Sequence, residues 1–554
     1  MFRILSRVLV PGSLALAFIV VSHSKISDEE ALKAAQATEK VVVRSLEKAK
    51  VPGCSFIIVR GGKTIYESHV GNANLKGEKV GSTHLYPLSS LSKLVTAIVL
   101  LAIVDDGKIN LDDYVRKYIP NFFIANETIS SKFTVRDLVS HRSGLPHFIA
   151  DSLWQAGYPR EKIMNALRYV KDVSGFRKKY GYQNVIFGIV EDVMTNATGL
   201  TYEELLDKYL VSKMGLKNIT AKPLHTEKSL LENFKYNYKQ KGVWHAIKNI
   251  FSYKKADIVD THSIYLKKTV TVPHTDYFQR MKATGGIGAN LHDFGEILKM
   301  MLNKGKSGTT QIISERGFKE ITSNQVNLSA IKESDYRFPV FRLRDSYYGI
   351  GSFNSEYFEK DGPEDSKTAR IFFHMGGVCG VCTFFAFCPE EDVAMAAFCN
   401  LGGNGVTLFA EMITFDFLDR CLGFKEFDWI KFESDEIAKH DRRKIRWAED
   451  LKNKKPGPHA DIDKYEGTYT SDVYGNVKIS KSNNGLVLEI LDKKVRLTHH
   501  NANIFKFPMR DLCQNFLDRN EYVLFYMNKY GNFEEMLITN LSENNTTFKK
   551  LPAK

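Results

Sequence analysis

Apolar and polar positions along the 554-residue chain fall into successive textures. From Asp28 to Lys50 apolar residues recur at helical spacing among good helix formers, which predicts an amphipathic helix. Ser55 to Ser68 reads as a hairpin: Phe56-Ile57-Ile58-Val59, a Gly61-Gly62 turn, then Thr64-Ile65-Tyr66. Leu94 to Val104 is almost wholly apolar and predicts a buried helix with Ser90 at its first turn. From Leu88 to about Leu422 helical and strand segments alternate irregularly, without the regular beat of a doubly wound sheet. Ile371-Phe372-Phe373, then Thr383 to Cys388 and Val393 to Cys399, predict an antiparallel sheet edge, and Thr407 to Leu422 a closing helix. After a charged stretch ending at Pro456-Gly457-Pro458, a linker signal, the texture changes to short strands broken by Gly and Asn turns. Val477 to Ile479, Leu486 to Ile490, Val495 to Leu497, Tyr522 to Met527 and Glu535 to Thr539 predict a small antiparallel barrel or sandwich.

The pattern therefore divides the chain into 25–424, a charged linker 425–460 and a small β-domain 461–554. Within the first unit, 222–268 is rich in lysine and aromatics and reads as a basic surface insertion. Residues 1–24 carry Arg3 and Arg7 ahead of an apolar run from Val8 to Val21. That is the layout of a secretory signal peptide or an uncleaved signal anchor, with the rest of the chain secreted or tethered outside the cytosol. The run is too apolar to favour a mitochondrial presequence, and short for a spanning helix, which needs about 20 residues. Asn-x-Ser/Thr triplets at Asn126, Asn196, Asn218, Asn327, Asn540, Asn544 and Asn545 favour a glycosylating compartment in a eukaryote.

A formal charge of +13 is moderate at this length and is not gathered into one arm, which argues against a nucleic-acid partner. Seven cysteines do not read as a disulfide framework for so long a chain. Cys379 and Cys382 form C-x-x-C inside an apolar run with no matching histidine pair, so neither zinc nor redox chemistry is assigned there.

Candidate chemistry centres on Ser90-Leu91-Ser92-Lys93. Three residues apart on a helix, Ser90 and Lys93 share a face. A lysine at the start of so dry a helix has its pKa pushed down and can accept the serine proton. By itself S-x-x-K is common; its company makes it specific. Tyr86-Pro-Leu-Ser-Ser-Leu-Ser-Lys-Leu-Val-Thr-Ala, Phe133-Thr-Val-Arg-Asp-Leu-Val-Ser-His-Arg-Ser-Gly-Leu145, Tyr182-Gln-Asn-Val-Ile-Phe-Gly, Thr284-Gly-Gly-Ile-Gly288, Tyr348-Gly-Ile-Gly351 and His374-Met-Gly-Gly377 follow one another in order. Together they resemble the active-site serine β-lactamase and penicillin-binding-protein superfamily, most closely the class C β-lactamase, D-amino-acid peptidase and esterase branch. The resemblance covers about Val43 to Leu422, and the C-terminal part looks like the small β-domain often appended to such hydrolases.

The resemblance implies an α+β fold, with an antiparallel sheet flanked by helices, followed by a small all-β domain. It implies Ser90 as nucleophile, Lys93 as proton acceptor or relay, and Tyr182 as phenolic general base and later acid. Asn184 would bind substrate and orient Lys93; the backbone N–H groups of Ser90 and Gly377 would form the oxyanion hole, with His374 and Gly376 on the facing strand. No metal or organic cofactor is implied, and the partner is a small-molecule or peptide acyl substrate. Met375 stands where the family usually has Thr or Ser. The missing hydroxyl often meets a substrate carboxylate, so an esterase, amidase or peptidase fits better than a β-lactamase. The rival expectation is an inactive protein that keeps the fold as a binding module or scaffold.

Overall fold

The protein is described from a computed structural model. It covers 25–224 except 125 and 171–174; 257–328 except 266, 267, 273 and 275–280; 341–435 except 361, 363–366, 379 and 403–407; and 456–552 except 483, 484, 492, 513–519 and 540–546. The apolar leader, most of the basic insertion, Cys379, Cys513 and the bulk of the charged linker lie outside the described residues.

Helix α1 (Asp28–Ser45) opens on a capping box, in which the Ser27 side chain accepts from the Glu30 N–H and the Glu30 carboxylate accepts from the Ser27 N–H. The hairpin follows as β1 (Gly53–Arg60) and β2 (Lys63–Gly71). Next come α2 (Ser92–Asp105) and α3 (Leu291–Leu302), then β3 (Val326–Asn327), β4 (Leu343–Tyr348), β5 (Phe353–Tyr357), β6 (Ala369–Val378), β7 (Val381–Cys388) and β8 (Val393–Cys399), and finally α4 (Phe409–Leu422). The eight strands form one antiparallel sheet in the order β3-β4-β5-β6-β7-β8-β1-β2.

The strands expected at a sheet edge, β6 to β8, lie instead in its interior. The reason is visible in their composition: every residue of β7 and β8 is buried, because helices cover both faces. Ile57, Phe385, Ala396 and Phe398 point into the core shared with α2 and α3. Their neighbours Phe56, Phe384, Met395 and Ala397 point into a second core with α1 and α4. On α3, Gly295 admits β1 closely, since a Cβ there would lie 2.5 Å from Ile57 Cδ1. The described end of the expected insertion is no surface appendage either. Leu85 N–H donates to Asp257 O (2.7 Å), and Val259, Thr261 and His262 are buried.

The C-terminal unit is a closed barrel of eight strands among the described residues, β9 (Gly467–Ser471) through β16 (Phe548–Lys550). Pairing of Tyr469 with Lys550 closes it. Alternating burial along its strands fills the interior with Tyr465, Phe505, Phe525 and Phe533. The barrel docks on the N-terminal unit, where the Tyr158 hydroxyl donates to Tyr474 O (2.9 Å).

One buried acid in this frame sets a pH dependence. Glu411, in the first turn of α4, is buried with Oε1 lacking a hydrogen-bond partner among the described residues. Burial, and after it the like charge of Glu433, push its pKa from 4.5 up to about 8. A carboxyl whose folded pKa is raised contributes stability below its unfolded pKa and loses it as pH climbs through the folded value. Unfolding free energy should therefore fall between about pH 5 and pH 8, with Glu411 contributing on the order of a few kcal/mol. Glu411→Gln should remove that contribution and raise the melting temperature at pH 8, measured by thermal melts across this range. Parallel pH profiles for wild type and variant would rule the assignment out.

Candidate active site

Ser90 sits in a single 3₁₀ turn, Ser89–Leu91, just ahead of α2 rather than within its first α-helical turn. The turn is held from both sides. Leu88 N–H donates to Ile287 O (2.8 Å), and Leu88 O accepts from the Thr383 hydroxyl on β7 (3.0 Å). Ser89 adopts φ +51°, a left-handed conformation uncommon for residues other than glycine, as strained backbone beside reactive groups often does. Gly376 on β6 packs directly against this turn: a Cβ there would lie 2.6 Å from Leu88 O and 2.1 Å from Thr383 Oγ1. At Gly377, which is exposed, a Cβ would meet nothing within 4 Å, so the space above it is open.

Lys93 is fully buried, and its Nζ has three oxygen neighbours: Asn184 Oδ1 at 2.8 Å, Thr284 O at 3.0 Å and Ser90 Oγ at 3.2 Å. Desolvation drives its pKa well below the usual 10.5, against the weaker upward pull of the Asp151 carboxylate. The Tyr182 hydroxyl donates to Ser90 Oγ at 2.9 Å, and Lys93 Nζ lies 4.9 Å from the Tyr182 ring centre. Asn184 opens the short helix Asn184–Gly188; its Nδ2 donates to Asp151 Oδ2 (2.6 Å), which fixes which end of the amide faces Lys93. Thr284 ties the two segments together, its hydroxyl donating to Asn184 O (2.9 Å).

His374 is buried beside this group, its ring 6.1 Å from that of Tyr182. Burial, and then the charge of Lys93, depress its pKa to about 3, so the ring is neutral. Its Nδ1 lies 2.6 Å from Met375 O, a group that can only accept, so the proton is on Nδ1. Nε2 is then the acceptor for the Tyr348 hydroxyl at 3.3 Å. The pleat puts Met375 on the opposite side of β6 from His374 and Gly376.

Ser90, Lys93, Tyr182 and Asn184 are thus joined by direct hydrogen bonds, and Gly376 and His374 adjoin them. Four further participants had no role assigned from sequence. The Thr284 carbonyl and the rings of His141 and Tyr348 lie inside motifs already noted, but a motif does not say which atom makes contact. The His141 ring packs at a tilt against Tyr182 (4.4 Å between centres) and its Nδ1 accepts from the Gln183 N–H (3.2 Å). Asp151 had a signal of its own, a lone acid within Phe148-Ile-Ala-Asp-Ser-Leu-Trp154. A separate cavity of about 430 Å³, lined by Leu101, Asp105, Lys108 and Arg316 among others, opens at the far end of α2 and shares no residue with the site. Among the described residues no cluster of three or more His, Cys, Asp or Glu could hold a metal ion.

Comparison with known proteins places this constellation. Protein flp of Staphylococcus aureus is 24% identical over 251 residues, which are 44% of this chain and 48% of that protein. The chain thus spans about half the length of that relative. Unguisins hydrolase ungD' of Aspergillus campestris is 22% identical over 460 residues, 79% of this chain and 76% of that one. Among solved structures, the octameric penicillin-binding protein homologue from Pyrococcus abyssi matches with a TM-score of 0.56 at 17% identity, covering 93% of this chain and all of that one. The D-amino acid amidase from Ochrobactrum anthropi SV3 matches at 0.53 and 16% identity, covering 71% and 98%. These structural likenesses are of fold. The barrel falls within the match to a domain of unknown function, DUF3471, over residues 451–553. The Beta-lactamase family model spans residues 38–411, from α1 to the first turn of α4 and across the whole Ser90–Lys93–Tyr182 cluster. With that span and this fold, the chain belongs to the Beta-lactamase family.

Proposed function

We propose that the protein hydrolyses neutral esters or amides through an acyl-enzyme on Ser90. The observation that carries this reading is the donor count around Lys93. Asn184 Oδ1 and Thr284 O can only accept hydrogen bonds. A neutral amine has two N–H bonds and one lone pair. With both N–H bonds given to those oxygens, the lone pair is left facing Ser90 Oγ, ready to take its proton. Burial of Lys93 favours that neutral form.

Ser90 Oγ then adds to the substrate carbonyl, whose oxygen is received by the backbone N–H groups of Ser90 and Gly377. The tetrahedral adduct expels an alcohol or amine, which takes its proton from Tyr182. Water adds to the acyl-Ser90 carbonyl by the reverse use of the same groups, and the acid departs. Ser92, the other serine of the motif, is buried with its Oγ accepting from the Ile287 N–H (3.2 Å), which suits a structural role. A preference for uncharged substrates is supported by the neutral His374, which offers a carboxylate no countercharge.

A fluorophosphonate probe should modify Ser90, read by peptide mass spectrometry, and Ser90→Ala should abolish both labelling and ester hydrolysis. Activity that survives Ser90→Ala but is lost in Ser92→Ala would overturn the register. kcat/KM should rise with pH as Lys93 sheds its proton, and level off below the ordinary lysine range near 10.5. Tyr182→Phe should cost roughly a hundredfold or more in acylation.

For a matched pair of substrates, one neutral ester and its carboxylate analogue, kcat/KM should favour the neutral member by about tenfold, and that ratio should hold down to about pH 5 because His374 stays uncharged there. A strong preference for the carboxylate analogue would require a cation that this reading lacks.

A further inference from the structure

Phe148 is half exposed, at 50%, beside a site whose other aromatic rings, Tyr180, Tyr182 and Tyr348, are buried. Its position is not that of a loose loop. Phe148 N–H donates to Tyr182 O (2.8 Å), Tyr182 N–H donates to His147 Nδ1 (3.1 Å), and Asn184 Nδ2 reaches Asp151. Three hydrogen bonds thus rivet 147–151 to the segment that carries Tyr182 and Asn184. The same loop holds Phe148 at φ +57° and Ala150 at φ +62°, left-handed values that a bulky side chain adopts only when its surroundings impose them. The outcome is an aromatic ring with its centre 5.4 Å from that of Tyr182 and one side in solvent. This half-exposed ring is a direct neighbour of the Tyr182 ring, whose phenol, on the acyl-enzyme reading, hands its proton to whatever leaves.

We infer that Phe148 is a specificity-determining residue for the leaving group, packing against an apolar or aromatic alcohol or amine as it departs from the Ser90 adduct. The inference rests on the acyl-enzyme reading and sharpens it. Geometry separates the two halves of the substrate. On that reading the acyl half stays on Ser90 and the departing half must reach the Tyr182 hydroxyl, whose ring has the half-exposed Phe148 as its neighbour. An aromatic leaving group gains ring contact there, and a small alkyl one does not. The acetyl-Ser90 intermediate is the same whatever left it, so its hydrolysis is independent of Phe148.

The test uses two neutral acetates whose leaving groups are of similar acidity, phenyl acetate and hexafluoroisopropyl acetate. Phe148→Ala should lower kcat/KM for phenyl acetate by about five- to tenfold, the range of an aromatic pair contact. The other ester should change by less than about twofold, a surface-substitution effect. The hydrolysis rate of acetyl-Ser90, read from single-turnover kinetics, should stay at the wild-type value, and Phe148→Tyr should restore the phenyl acetate rate. Equal losses on both esters, or a changed deacylation rate, would overturn the role of Phe148 while fluorophosphonate labelling of Ser90 still upheld the acyl-enzyme. A wild-type protein that takes no label on Ser90 and cleaves neither ester overturns both.

Discussion

The N-terminal unit is organised around one constraint: an amine must be kept where there is no water. Lys93 projects from a helix whose residues Ser92 to Ile103 are all buried. A charged ammonium at such a depth costs several kcal/mol even after relaxation, and loss of the proton relieves that cost. The neighbouring structure is shaped by the same need. Gly351 lets the β4–β5 turn close on α2, since a Cβ there would lie 2.6 Å from Lys93 O. Gly376 does the same on the serine side. Tyr182 and Asn184 arrive on one segment and Thr284 on another, presenting a hydroxyl, an amide and a carbonyl to the two atoms that matter.

What could be read from the sequence follows from how locally each feature is encoded. Ser90 and Lys93 are three residues apart, and Tyr182 and Asn184 two, so their types and spacing carry the chemistry directly. The barrel was legible for a similar reason, because alternating strands between Gly and Asn turns write a period-two pattern into the chain. Position within the sheet was not legible. The apolar runs of β6, β7 and β8 fit an edge or a centre equally well until the covering helices are known. Nor could the sequence show that Lys93 is oriented by a main-chain carbonyl, since every residue has one and Thr284 advertises only its side chain. The half-exposed state of Phe148 depends on two left-handed residues, Phe148 and Ala150, whose residue types do not announce that backbone.

His374 shows how the environment can decide a residue's character. From sequence it stands at a position the family fills with lysine or histidine, both potential cations. In the folded protein it is an uncharged ring with a fixed tautomer, the proton held on Nδ1 by the Met375 carbonyl. It therefore acts as a hydrogen-bond acceptor toward Tyr348 and brings no positive charge of its own to the site. A protonated lysine there would instead disfavour the charged form of Lys93 further, as like charges do.

The strand order carries a consequence for synthesis. β1 lies between β2, its partner in the hairpin, and β8, with Cys54 opposite Cys399. The first strand made thus waits for the last one of the sheet. At about 5–20 residues per second, some tens of seconds separate the two on the ribosome. During that interval an apolar strand, Phe56-Ile57-Ile58-Val59, has one edge unpaired. A nascent chain of this topology carries an unpaired apolar strand for longer than the same residues would if β1 paired only with its neighbour in sequence.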